Sequence, residues 1–263
     1  MDLVETLIRE KSACDRVPQP PHEHIVHEAE LRLGQLLGPG FRNGVEEGDW
    51  QRILLHLNQL PQERIVRKTI VLVEDLFFGD DVRVRRSGNP NPTPQNPQPG
   101  TAMVTEIQQK RRMTWFDARC LGRKYDMRMA LKRERTVAPP PASMQPQFRR
   151  MQERHSFWTA DGIRIDVSRA SAPGPMEQTT TWEVELELDK PPTNEPEIQA
   201  ATEALIRWLL ELTPTTSNET SGNRVLFLRL DSGGQVQQQE QEGSVTDALL
   251  VATTRELIRP PRI

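Results

Sequence analysis

With 34 Lys and Arg set against 37 Asp and Glu, the 263-residue chain carries a formal net charge of −3. That excludes the broad basic coat that holds nucleic acid non-specifically, so any polyanion site must be local. Two cysteines, Cys14 and Cys120, are too few for a disulfide framework and lack metal-ligand spacing, which points to a reducing compartment and to no catalytic thiol.

In chain order, residues 1–10 read as an amphipathic, charged helix and not as a signal peptide. No apolar run approaches membrane-spanning length, so a soluble intracellular protein with no membrane partner is expected. Alternating runs follow at 24–33, 66–76, 81–87, 103–120, 124–135, 148–158, 162–170, 180–189 and 224–231, the signature of strands. Apolar residues at helical spacing mark Asp49 to Leu60, Glu195 to Leu212 and Ser244 to Ile258, the last with Ser244 as a plausible cap. Loops are expected at the proline-rich tract Gly88 to Gly100, at Pro139 to Pro146, at Thr213 to Gly222, and at Ser232 to Gly243 with its glutamine run. Eight or nine strands with few helices predict a mainly β (α+β) fold. The expected form is a closed antiparallel eight-stranded β-tunnel with peripheral helices, one domain over 1–263, with 88–100 a flexible insertion between two strands.

The two faces of these strands differ. Glu-Val-Glu-Leu-Glu at 183–187 puts Glu183, Glu185 and Glu187 on one face, roughly 6.6 Å apart, where they repel unless water or a cation intervenes. Glu28 and Glu30 share a face in the upstream strand. Elsewhere period two groups Arg83 with Arg85, Glu106 with Gln108 and Lys110, and Asp126 with Arg128, Ala130, Lys132 and Glu134. It likewise groups Arg150 with Gln152, Arg154 and Ser156, and Arg164 with Asp166 and Ser168. An apolar-filled barrel does not fit such faces. A tunnel does: carboxylates from two strands for a hard divalent cation, and a wall of guanidinium and ammonium groups for the phosphates of a metal-bound polyphosphate.

Other features carry less. His22, His24 and His27 scatter over both faces of a strand, which argues against a zinc site. Trp115, Trp158, Trp182 and Trp208 fall among apolar positions and read as packing residues and not as base-stacking platforms. Asp80 and Asp81 after Phe-Phe-Gly read as a turn. Neither a phosphate-cradling Gly-x-x-x-x-Gly-Lys-Ser loop nor a dinucleotide fingerprint occurs.

Taken in order, His-Glu-Ala-Glu-Leu-Arg-Leu-Gly, Gln-Lys-Arg-Arg, Tyr-Asp-Met-Arg-Met-Ala-Leu-Lys-Arg-Glu, Ile-Arg-Ile-Asp-Val-Ser and Glu-Val-Glu-Leu-Glu resemble the metal-dependent RNA 5′-triphosphatases of fungi and protists, which belong to the triphosphate tunnel metalloenzymes. The resemblance spans roughly residues 24 to 190. It implies that Glu28, Glu30 and Glu187 ligate Mg2+ or Mn2+, that Glu185 bonds water on that metal, and that Glu183 supports the nucleophilic water. It implies phosphate binding by Arg83, Lys110, Arg128, Arg150, Arg154 and Arg164, with Glu134, Asp166 and Ser168 orienting those groups or water. Gln152 stands where the family usually has lysine, and Ala130 where it often has serine. The implied reaction removes the γ-phosphate of 5′-triphosphate RNA, the first step of nuclear mRNA capping, with a guanylyltransferase as the next enzyme. Two alternatives stay open: an inorganic triphosphatase or nucleoside triphosphatase of the same fold, and a non-catalytic module that binds 5′-triphosphate ends.

Overall fold

In the computed structural model, which describes residues 25–38, 40–88, 104–120, 122–172, 179–189 and 194–215, the alternating runs become antiparallel strands. Among these residues they are β1 (Ile25–Leu37), β2 (Gly40–Asn43), β3 (Ile65–Phe77), β4 (Val82–Gly88), β5 (Val104–Ala118), β6 (Asp126–Thr136), β7 (Phe148–Thr159), β8 (Ile163–Ala172) and β9 (Thr179–Leu188). Two helices accompany them, α1 (Glu47–Gln59) and α2 (Glu195–Leu212). The amphipathic segment 1–10, His22, His24, the run 224–231, the segment 244–258 and most of the proline-rich and glutamine-rich loops lie outside the described residues.

Eight strands close on themselves in the order β1-β6-β5-β4-β3-β7-β8-β9. The seam is short: β1 meets β9 only at Glu30↔Glu187, Leu31↔Leu186 and Arg32↔Glu185. A bulge between Arg112 and Thr114 shifts the β5–β6 register by one residue, so Arg112 and Trp115, three apart, fall on the same face. The expected turn at Asp80 and Asp81 joins β3 to β4, both residues at positive φ.

The short strand β2 was not expected. It folds back along the same edge of β1 that β9 leaves free, from Gly34↔Asn43 to Leu37↔Gly40. Gly34 permits it, since a Cβ there would come 2.3 Å from the Arg42 carbonyl oxygen and 2.6 Å from the Phe41 ring. Four residues with no apolar alternation give too little pattern to be read from sequence.

The apolar core sits outside the barrel. Leu31, Leu33, Met127, Met129, Phe157, Ile163, Ile165, Val167, Val184 and Leu186 point outward from β1 and β6 to β9 and are buried. They are covered by Trp50, Ile53 and Leu57 of α1 and by Ala204, Leu205, Trp208, Leu209 and Leu212 of α2, each set at helical spacing. At the α1 N-terminus the Tyr125 hydroxyl donates to Asp49 at 2.7 Å and accepts from the Glu46 N–H at 2.8 Å, which pins the helix to the strand entering β6. α2 is capped by Asn194, whose side chain accepts from the Glu197 N–H. Among the described residues no helix is long and apolar enough to cross a membrane.

Trp208 is fully buried between α2 and the barrel wall, with its indole N–H on Asp161 at 3.1 Å. Trp208→Ala is expected to lower the unfolding free energy by about 3–5 kcal/mol. Urea titration followed by circular dichroism measures it. A loss below about 1 kcal/mol would mean that α2 is not part of the cooperative core.

Candidate active site in the barrel interior

Outward-facing Leu, Ile, Val and Met leave every second residue facing inward, and on most strands these inward residues are charged or polar. β1 contributes Glu28, Glu30 and Arg32; β6 contributes Arg128, Ala130, Lys132 and Glu134; β9 contributes Glu183, Glu185 and Glu187. β8 adds Arg164, Asp166 and Ser168, β7 adds Arg150, Gln152, Arg154 and Ser156, β4 adds Arg83 and Arg85, β5 adds Lys110, and β3 adds Asp75. Glu30, Asp75, Arg83, Lys132, Glu134, Asp166, Ser168 and Glu183 are buried. Burial of ions on this scale is tolerable only if each has an opposite partner.

The closing register places Glu30 directly across from Glu187, with Glu185 one step along across from Arg32. Each carboxylate of this floor is held by a cation. Lys110 joins Glu28 and Glu134. Lys132 and the Arg32 Nε, the latter at 2.7 Å, hold Glu30. Another Arg32 nitrogen reaches Glu185 at 2.9 Å, and Arg164 holds Glu187. Among the described residues no three acidic, histidine or cysteine side chains converge on one point.

Protonation follows from this crowding. Burial, and then Glu28 beside it, push the Glu187 carboxyl up to about 8. Burial acts on Glu185 in the same direction but is outweighed by Arg32, Arg154, Lys132 and Arg150, which hold it below the usual carboxylate range. The Lys132 ammonium is brought down to about 8 by burial, with Arg32 adding to it. The floor thus brings carboxylates of β1 and β9 onto neighbouring strands, with Glu30 directly across from Glu187. An all-oxygen donor set of this kind fits a hard divalent cation.

The opposite wall is basic. Arg150 spans from Asp75 at 3.2 Å to Glu183 at 3.5 Å. Arg154 donates to Gln152 at 3.0 Å and lies 3.4 Å from Asp166. Arg164 lies 3.3 Å from Asp166. Arg83 donates to Gln108 at 2.6 Å and lies 3.5 Å from Glu134. The Nε groups of Arg83, Arg150 and Arg154 are buried with no hydrogen-bond partner, which gives the wall donors for an anion's oxygens. Ser168 is buried between its register partners Arg154 and Glu183. Arg128 is also on the tunnel face, but toward one end, with its guanidinium clamped by Asp117 at 2.6 and 2.8 Å.

Several lining residues escaped sequence reasoning. Arg32 is two residues past Glu30, so period two alone assigns it to the acidic face. Asp75 gives no such signal, standing beside Glu74 in an otherwise apolar run, yet it is fully buried and gathers Arg83, Arg85 and Arg150. Asp117 is found only through its partner Arg128, whereas Gln108 lies on the face that period two already gave it with Lys110. The tryptophans divide: Trp208 is buried and Trp182 packs against the core as expected, whereas Trp158 and Trp115 take tunnel-face positions opposite Arg164 and Ala130.

This geometry can be set beside known structures. An S. pombe RNA triphosphatase, Pct1, superimposes with a TM-score of 0.59 at 18% identity over 82% of this chain and 94% of that one. The chain has the fold of that RNA triphosphatase. The same protein in complex with the Spt5 CTD gives a TM-score of 0.57 at 19% identity, covering 80% of this chain and 85% of that one. A Mimivirus capping enzyme triphosphatase aligns more loosely, with a TM-score of 0.47 at 16% identity over 80% of this chain and 96% of that one. No family model and no curated protein matches the sequence. The expected eight-stranded tunnel fold is met in full.

Asp75 offers a test of the interior. Burial raises its carboxyl, but Arg85, then Arg83 and Arg150, bring it down to about 2 from an ordinary value near 4. A depressed acid stabilises the fold above its unfolded value and loses that contribution as pH falls through the folded one. Between about pH 4 and pH 2 the wild type should therefore lose about 2 kcal/mol that Asp75→Asn lacks from the outset. At neutral pH that variant should be less stable by about 3–5 kcal/mol, because Arg83, which is buried, and the half-buried Arg85 and Arg150 lose their shared anion. Equal stability of the two proteins at pH 7 would show that Asp75 does not organise the wall.

Proposed function

We propose that the chain is a divalent-metal-dependent RNA 5′-triphosphatase, a hydrolase that removes the γ-phosphate of 5′-triphosphate RNA and leaves a diphosphate end. The observation that carries this reading is the closed barrel whose interior sets five glutamates of β1 and β9 against the arginines of β7 and β8, on the fold of an RNA triphosphatase.

Glu28, Glu30 and Glu187 would hold Mg2+ or Mn2+, with Glu185 beside them. When bound, the ion supplies charge neutralisation on the phosphate and polarises its oxygens. The chain's own residues supply the rest. Arg83, Arg150, Arg154, Arg164 and Lys110 present donors to phosphate oxygens from fixed strands, so little reorganisation is needed as charge shifts toward the leaving oxygen. Glu183, raised by burial and then by Glu185, is placed to accept a proton from a water attacking the γ-phosphorus. Asp166 and Glu134 hold Arg154, Arg164, Arg83 and Lys110 in place. Arg128, clamped by Asp117, would act at the end of the tunnel and not on the γ-phosphate. No residue forms a covalent bond to phosphate in this scheme.

A nuclear location, a role in mRNA capping and a guanylyltransferase acting on the product accompany this proposal through the resemblance, and the single-domain reading over 1–263 through the chain's length. The test is release of labelled γ-phosphate from triphosphate-ended RNA, from ATP and from tripolyphosphate, under magnesium or manganese and with chelator. Release from RNA should need the metal, and Glu185→Ala and Glu187→Ala should each lower it about 100-fold or more with the circular dichroism spectrum unchanged. Turnover of tripolyphosphate and ATP with RNA untouched would move the function to inorganic triphosphatase or nucleoside triphosphatase chemistry. Tight RNA binding with no phosphate release from any substrate would leave a non-catalytic binding module.

A further inference from the structure

We propose that Trp115 and Arg112 form a lip at one mouth of the tunnel that receives the first nucleotide of a triphosphate-ended RNA, with the base stacked on the indole and Arg112 at the following phosphodiester. The inference rests on the RNA triphosphatase reading and specifies how an RNA end is told from bare polyphosphate.

Trp115 opposes Ala130, and Arg112 opposes Lys132, so the bulge in β5 puts both on the tunnel face. Trp115 is nevertheless 52% exposed. A tunnel-face side chain that is half in solvent stands at the opening. The same end carries Arg128 with Asp117, and Phe41 under the Arg128 guanidinium at 4.8 Å. Along β6, four residues separate Ala130 from Glu134, the register partner of Lys110. That sets Trp115 roughly 13 Å along the strand from the lysine that joins Glu28 and Glu134. A triphosphate seated at Lys110 and running toward this mouth would bring its ribose to Trp115.

The opposite mouth also has a tunnel-face tryptophan, but Trp158 is already occupied. The Arg67 guanidinium lies 3.4 Å over its ring, and its indole N–H donates to Asp189 at 3.1 Å. Trp115 has Arg112 at the longer distance of 5.3 Å. Among the described residues Arg112 makes no ion pair, and the repulsion of Arg128 and Arg32 on it outweighs the pull of Glu30 and Asp117. An exposed indole beside an arginine with no carboxylate of its own is the pairing that holds single-stranded nucleic acid without reading its sequence: any base has a face to stack and any phosphodiester a charge to meet. Inorganic triphosphate has neither a base nor a phosphodiester and gains nothing from the lip.

Calorimetric titration of the full chain tests this with two probes in magnesium: an RNA trinucleotide bearing a β,γ-imido 5′-triphosphate, and inorganic imidotriphosphate. Wild type should bind the RNA probe more tightly. Trp115→Ala should weaken the RNA probe about tenfold and leave imidotriphosphate unchanged, and Trp115→Phe should restore most of the loss. Arg112→Gln should weaken the RNA probe alone and lower its salt dependence by about one counterion. Equal affinity of wild type for both probes, no binding of the RNA probe, or equal weakening of both by Trp115→Ala would overturn the lip. Phosphate release is read separately: a chain that binds RNA through Trp115 but releases no phosphate keeps this inference and loses the hydrolase reading. A chain that hydrolyses RNA with Trp115→Ala unaffected in binding does the reverse.

Discussion

The structure depends on one constraint, that charge enclosed inside a sheet must be answered by opposite charge within hydrogen-bonding reach. A buried ion without a partner costs several kcal/mol, more than any single apolar contact returns. The barrel meets this by weaving acidic β1 and β9 against basic β7 and the alternating lining of β6 and β8. No lining carboxylate relies on a single neighbour in its own strand: Glu30 is reached from β6 by Lys132, and Asp75 from β4 and β7 by Arg85 and Arg150. The interior is a set of cross-strand ion pairs, and the sheet is held shut by them as well as by its backbone ladder.

The rest follows from that choice. With the interior taken by charge, the apolar residues of β1, β6, β8 and β9 turn outward under α1 and α2, whereas Ile70 and Leu72 of β3 stay exposed. On β1, β6, β8 and β9 both faces are then committed, so a one-residue slip of any of them would put charged side chains under the helices and apolar ones in the tunnel. Register is accordingly fixed twice over. The β1–β9 seam shows the effect: three residue pairs suffice to close the barrel, because they place Leu31 on Leu186 outside and Glu30 on Glu187 inside.

The same pairs make the interior ready for a ligand. Each cation that holds a floor carboxylate is also a phosphate donor by chemistry, and each carboxylate so held is an oxygen ligand by chemistry. Exchange of partners, cation to phosphate and carboxylate to metal, conserves the number of charge contacts and needs only side-chain rotation. The strands that carry these groups do not have to move. Catalysis that depends on positioning and charge is suited to such a scaffold.

Period-two alternation by itself determined the eight barrel strands, the polar face of every one but β3, and the two glutamate strands, because a strand sends successive side chains to opposite sides regardless of its neighbours. Helical spacing fixed α1 to within two residues and α2 at both ends for a comparable reason. Tertiary structure alone decided which faces meet. It set Glu30 opposite Glu187, drew Asp75 out of an apolar run to serve three arginines, and placed Arg128 on Asp117 at the rim. It separated the buried Trp208 from Trp115 at the opening, and it added β2, whose place depends on Gly34 leaving room for Phe41. Those outcomes rest on register between strands far apart in the chain, and on a bulge at one residue of β5. Neither leaves a mark in local periodicity, since pairing energy is shared between partners and is written in neither strand alone.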